Sequence, residues 1–233
     1  MHGHESFTLL SQIPGFGEIP NHVLMAIIVA VALVVCGSIA TMLSSKTATV
    51  LVPEGKLTFR NFFDILAEKL YAMCESVMGE HEAEKYFPVI ATLFVFIFFS
   101  NLFGLIPGFL PATDNINTTL ATGFFVFLYY NFQGIRANGI GYLKHFFGPV
   151  WYLAPLMLVI EIMAHVFRPI SLALRLRGNI QGDHVVLSVM SSLVPYGVPV
   201  IFLGLGLFVA IVQAYVFCLL TMVYISLSTA HDH

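Results

Sequence analysis

Between positions 161 and 184 the chain reads EIMAHVFRPISLALRLRGNIQGDH. Three arginines, a glutamate, an aspartate and two histidines stand there, in a run otherwise apolar enough to lie in a membrane. A charged side chain at the centre of a bilayer costs about 2.5 to 3.5 kcal/mol on insertion scales, so such residues are kept for function and given partners. The chemistry that these types can do together is the movement of an ion. Carboxylates and imidazoles take up and release protons, while a guanidinium, with a pKa above about 12, stays charged throughout. At 100° per residue, Glu161, Arg168 and Arg175 fall within about 40° of one another, and Asn179 lies one turn beyond on the same face. Arg177 and His184 project from the opposite side, so Arg175 and Arg177 face different neighbours. A structural ion pair can account for Arg168, and for Arg177 on its own side. For Arg175 the chain offers few acids. Glu161 is about 21 Å away along the axis, and Asp183 lies on a different face. The partner of Arg175 is therefore expected on another subunit.

A scaffold for these groups has to be a membrane protein. Of 233 residues, 58% are hydrophobic and only 10% charged, against about a quarter charged in an average soluble domain. The net charge of −3 and the lack of a basic patch give no reason to expect a nucleic-acid partner. Cys36, Cys74 and Cys218 are odd in number and scattered, and read as small hydrophobes. No histidine pair has i, i+4 spacing with a nearby acid, and HEAEK at 81–85 lacks the second histidine of a zinc-protease helix; it reads as a solvated charge run. No metal and no cofactor are expected.

The expected fold is all-α: a polytopic membrane protein with about five transmembrane helices, an interfacial amphipathic helix, and a long, steeply tilted helix hairpin at the C-terminal end. Residues 1–20 form a lead-in on the outer side, where His2 and His4 lack further ligands; without a basic n-region it is not a cleavable signal, and the first apolar run is a retained span. Residues 21–43 are long enough to cross a bilayer core of about 30 Å. Residues 44–87 form a segment on the cytoplasmic side. Within it, Thr58 can cap a helix whose apolar positions Phe59, Phe62, Leu66, Leu70, Met73 and Val77 suit either the interface plane or packing on the membrane domain. Residues 88–132 form a transmembrane hairpin, with spans near 88–110 and 120–132 and a turn where Asn117-Thr118-Thr119 reads as helix capping rather than a glycosylation site. Residues 133–149 are a second cytoplasmic-side loop, 150–228 the long hairpin and 229–233 a tail. A forty-residue helix would be about 60 Å long, and Pro169 alone can kink it without reversing it, so one tilted helix is expected before the chain turns back. Of ten Lys and Arg, five lie in 44–87, two in 133–149 and three in the long stretch. The positive-inside rule then puts the N-terminus outside and the C-terminus in the cytoplasm.

The run RPISLALRLRGNIQGDH, with QAYVFCLLTMVYISL in the last helix and NLFGLIPG followed by TDNINTTLA earlier, resembles subunit a of the F-type ATP synthase membrane sector over most of residues 88–228. The resemblance implies a non-catalytic stator facing a ring of proteolipid c subunits, each with a membrane carboxylate, and assembled with peripheral-stalk b subunits and the remaining ATP synthase in a lipid bilayer, most commonly a bacterial inner membrane. By motif position, Arg175 matches the family's essential stator arginine, Asn179 the asparagine four residues on, and Gln213 the glutamine of the facing helix. Glu161 matches an acid of the inner access channel, with His165 nearby, and His184 a residue of the outer one, with Asp183 beside it. Two positions depart from the pattern: Gly206 stands where a polar partner on the last helix is frequent, and Arg177 where an aromatic residue is usual. The competing reading is a secondary ion transporter or channel with an intramembrane Arg/Glu/His path; such folds often carry internal repeats, and none is visible here.

Overall fold

A computed structural model describes residues 20–45, 59–106, 111–139, 152, 154–194 and 197–229. It is built from helices α1 (Asn21–Ser45), α2 (Phe59–Met78), α3 (Glu80–Gly104), α4 (Ile116–Asn138), α5 (Ala154–Leu193) and α6 (Val198–Thr229), with a 3-10 turn at Ala112–Asp114. The Thr58 cap, His2, His4, Lys144 and His145 lie outside the described residues.

Helices α1, α3, α5 and α6 are long and apolar enough to cross a membrane. The fifth expected span corresponds to α4. Its 23 residues, about 34 Å of helix, suffice in length, but it is more polar. Much of that polarity is absorbed internally: Thr122 donates to the Thr118 carbonyl, Asn131 to that of Phe127, and Asn138 to that of Ser228 on α6. In lipid, hydrogen bonds of this kind offset most of the cost of taking such groups out of water.

The stop of α2 before Gly79 falls where the sequence reading puts it, while other element ends differ, for local reasons. Gly79, at φ 81°, makes the break between α2 and α3 that a residue with a Cβ would make at a cost. Just after it HEAEK, a charge run in which His81, Glu84 and Lys85 stay exposed, forms the first turns of α3. Glu80 and Glu82 face the helix's positive end, Glu82 pairs with Lys85 at 3.8 Å, and Ala83 is buried. Pro88, expected to open the span, lies inside α3. The carbonyl that it frees belongs to exposed Glu84, where water can bind it. Asn115, not Asn117, caps α4, accepting from the Asn117 backbone N–H at 2.9 Å. The helix runs on to Asn138, so the first six residues of the expected 133–149 loop are helical.

One apolar cluster joins α2 to α6. Tyr86, Ile90, Leu93, Phe94 and Ile97 of α3 meet Leu172, Leu176 and Ile180 of α5, and Phe217, Met222 and Ile225 of α6. Helix α2 packs on α3 and α6 through Leu70 and Cys74, while Asp64, Glu68, Lys69 and Glu75 remain exposed. Helix α2 thus packs on the membrane domain while Phe62 and Ile65 stay exposed, an arrangement compatible with a place in the interface plane. Burial pushes the Cys74 thiol up to about 11, so it stays protonated and unreactive.

The C-terminal hairpin is the largest unit. Helix α5 continues unbroken through Pro169 for 40 residues, about 60 Å, and α6 returns antiparallel: Arg168 lies over Tyr224, and Asn179 meets Gln213. A helix twice the hydrocarbon thickness fits a bilayer only by tilting or running beyond it. Helix α4 closes on α5 where Gly123 faces Pro169. A Cβ on Gly123 would stand 2.8 Å from the Pro169 carbonyl oxygen, so only glycine allows this approach.

Candidate functional site

Helix α5 presents its polar side chains in three groups. At the Glu161 end, the guanidinium of Arg168 meets the Glu161 carboxylate at 3.7 Å and lies 5.3 Å from the centre of the Tyr224 ring on α6. Seven residues separate the pair, so the two side chains span two turns along one face, as the spacing predicts. His165, between them, is buried against α4: its Nε2 is 2.8 Å from Asn131 Oδ1, and the Phe127 and Tyr130 rings stand edge-on at 5.6 and 5.4 Å.

The middle group is different. Arg175 is exposed and makes no ion pair or hydrogen bond among the described residues. One turn on, the Asn179 amide donates to Oε1 of Gln213, itself 3% exposed. Cβ atoms on Gly178 and Gly182 would touch nothing. Their bare backbone opens a cleft of about 370 Å³ against Phe208 and Val212, with Asn179, Asp183 and Gln213 along it. Arg175 does not itself line the cleft, but Gly178, Asn179 and Gly182 fall within about 60° of it around the helix.

The third group faces a narrower cavity. Asp183 and His184, both half-buried, line it with Asn101, Leu105, Phe202 and Gly206. It leaves about 30 Å³ for the centres of water-sized molecules, room for about two waters at 10–15 Å³ each. Asn179, Asp183 and Gln213 line both this cavity and the cleft, so the two meet at those residues. Asn101 and Thr113 are site residues that the sequence reading missed. Thr113 donates to Asn101 Oδ1 at 2.9 Å, and Asn101 Nδ2 is buried without a hydrogen-bond partner among the described residues. The one sequence signal was a lone asparagine in an apolar run; its link to Thr113 joins residues twelve apart.

Two departures acquire physical content. A Cβ on Gly206 would meet Leu105 Cδ2 at 2.7 Å, so a side chain there would have to displace the tip of the leucine just beyond α3, and Asp183 is the carboxylate that lines this cavity. Arg177 is half-buried, with Nε lacking a hydrogen-bond partner among the described residues. An ion pair was expected for it, and none forms among those residues, because the side chains one turn away are Ala173, Leu174, Ile180 and Gln181. The structure thus brings Glu161, His165 and Arg168 together at one end and Asn179, Gln213, Asp183 and His184 at the other. Arg175 stands between them, open to one side, and Arg177 apart.

With this arrangement described, likeness to known proteins can be weighed. The family model for the ATP synthase A chain matches residues 23–226. The chain is 48% identical to ATP synthase subunit a of Bdellovibrio bacteriovorus over 229 residues, covering 98% of this chain and all of that relative. It is 46% identical to that of Geobacter sulfurreducens over 201 residues, 85% of this chain and 86% of the other, and 38% identical to that of Sorangium cellulosum over 244, at 97% and 96%. A match of this length and identity means that the chain belongs to the ATP synthase A chain family, as a membrane component in proton transport and ATP synthesis.

Proposed function

We propose that this chain is the stator of a proton-driven rotary ATP synthase. Its C-terminal hairpin provides two offset half-channels, and Arg175 stands between them against a ring of proteolipid subunits, each bearing a membrane carboxylate. The observation that carries the reading is that Arg175, midway along α5, is exposed and unpaired among the described residues, while Arg168, two turns away, has an acid within the chain. A guanidinium left open in a membrane needs a counter-charge, and a partner that moves can supply it one carboxylate at a time.

The chemistry follows from the residue types. A proton enters from the outer side through the cavity of Asp183, His184 and Asn101, and reaches a ring carboxylate in the cleft beside Asn179 and Gln213. The ring turns, and the carboxylate releases its proton into the inner branch at Glu161 and His165. Arg175 attracts each deprotonated carboxylate, favours loss of its proton, and blocks a direct path between the branches because it never gives up its own. Each charge that crosses gains about 2.3 kcal/mol per 100 mV. Asn179 and Gln213 hold each other's amides and line the cleft. The chain itself performs no covalent step. The peripheral stalk would hold it against rotation, with the N-terminus outside and the C-terminus in the cytoplasm of a bacterial inner membrane.

The test is Arg175→Ala in the whole synthase. ATP-driven proton pumping in inverted vesicles and ATP synthesis should both be abolished, with assembly intact. Coupled pumping retained by this variant would overturn the assignment.

A further inference from the structure

At the Glu161 end, α4 is tied to the imidazole of α5 by a single amide. Asn131 of α4 donates through Nδ2 to the Phe127 carbonyl at 2.7 Å, and its Oδ1 lies 2.8 Å from His165 Nε2. A carbonyl can only accept, so the amide cannot be flipped: the nitrogen must face Phe127 and the oxygen must face the imidazole. That oxygen in turn can only accept, so His165 Nε2 carries a hydrogen. The neutral ring is therefore the Nε2–H tautomer, and Nδ1 is its basic nitrogen.

We infer that Asn131 is a positioning residue of the proton path: it holds His165 as a one-sided proton acceptor that gains and loses its proton at Nδ1. The inference rests on the reading of the Glu161 end as the inner branch. Nδ1 is enclosed in the packed structure, so a proton reaches it only when the packing around the ring opens; its arrival makes the imidazolium, the same N–H bond breaks when it leaves, and Nε2–H stays bonded to Asn131 throughout, so the ring need not turn. Packing opposes rotation as well, with Phe127 and Tyr130 of α4 edge-on to the ring. The titratable and charged groups around it are Glu161 one turn before and Arg168 one turn after on α5, Tyr130 on α4, and on α6 Tyr224, whose ring lies under Arg168.

The experiment measures initial rates of ATP-driven acidification of inverted vesicles carrying the whole synthase, between about pH 6 and 9, with assembled complex quantified by immunoblot. Asn131→Leu should slow pumping about tenfold at equal assembly, less than the ~10²-fold that a positioned acid–base group contributes, and should change the pH profile. Asn131→Asp, whose carboxylate still accepts from Nε2–H and favours the imidazolium, should recover most of the rate with the profile displaced to higher pH. In a His165→Leu background, Asn131→Leu should cost nothing further. An equal loss in both backgrounds, or an unshifted profile in Asn131→Asp, would show that Asn131 merely packs α4 on α5 and overturn the inference. A His165→Leu variant that pumps at the native rate would do the same. These outcomes are independent of Arg175→Ala, whose retained pumping is what would remove the stator reading itself.

Discussion

The two arginines on one face of α5 are seven residues apart and occupy opposite situations. Arg168 is enclosed by its own chain, with Glu161 at 3.7 Å and the Tyr224 ring beneath it. Arg175 faces outward beside a cleft floored by Gly178 and Gly182, with no acid among the described residues. The same side chain in the same helix is a closed pair in one place and an open charge in the other. The difference teaches that position along the stripe does not set a role; the neighbouring helices do. Tyr224 of α6 and Asn131 of α4 close the Glu161 end, whereas small residues leave the middle open to something outside the chain.

This contrast can be broken in graded steps. After Arg175→Ala, the largest loss is expected from Asp183→Ala combined with His184→Ala. Proton entry should slow about 10²-fold, the contribution of a positioned acid–base group, and by less than about tenfold for either single change. Small, additive effects in vesicle assays would show that the two do not share a relay. Glu161→Gln should slow pumping about tenfold, and adding Arg168→Gln should restore assembly lost through the unpaired guanidinium without restoring the rate. If the double variant regained the native rate, the Glu161–Arg168 pair would be a structural clasp and nothing more. The smallest effect belongs to Arg177→Phe. It faces away from the cleft and has no acid partner among the described residues, so pumping should stay within about twofold, the change that ~0.5 kcal/mol produces. A loss as deep as that of Arg175→Ala would mean that the two sides of α5 are not separate.

The hairpin was legible in the sequence because length against membrane thickness is a strong constraint, and the stripe because charges are rare in apolar helices. Boundaries were harder to read. Helix α3 is apolar on nearly every side after Pro88, so no periodicity marked its true start at Glu80, and Gly79 was the only punctuation. Helix α4 was underestimated because its polar groups look like loop residues until the Ser228 carbonyl is there to accept from Asn138 and the His165 imidazole to donate to Asn131. The Asn101–Thr113 pair joins residues twelve apart, and Leu105 meets the Gly206 position from a distant part of the chain. No spacing rule along one helix reports such contacts.

The central claim is that Arg175 separates two half-channels by meeting a moving carboxylate. The most direct measurement is passive proton conductance through vesicles stripped of the soluble ATPase but retaining the ring, with Arg175→Ala and Arg168→Ala compared side by side. The account predicts that protons leak faster than in the native complex through Arg175→Ala, because the ring carboxylate can exchange with both branches at once, and that Arg168→Ala shows no such leak. A native or lower conductance in Arg175→Ala, or the same leak in both variants, would contradict it.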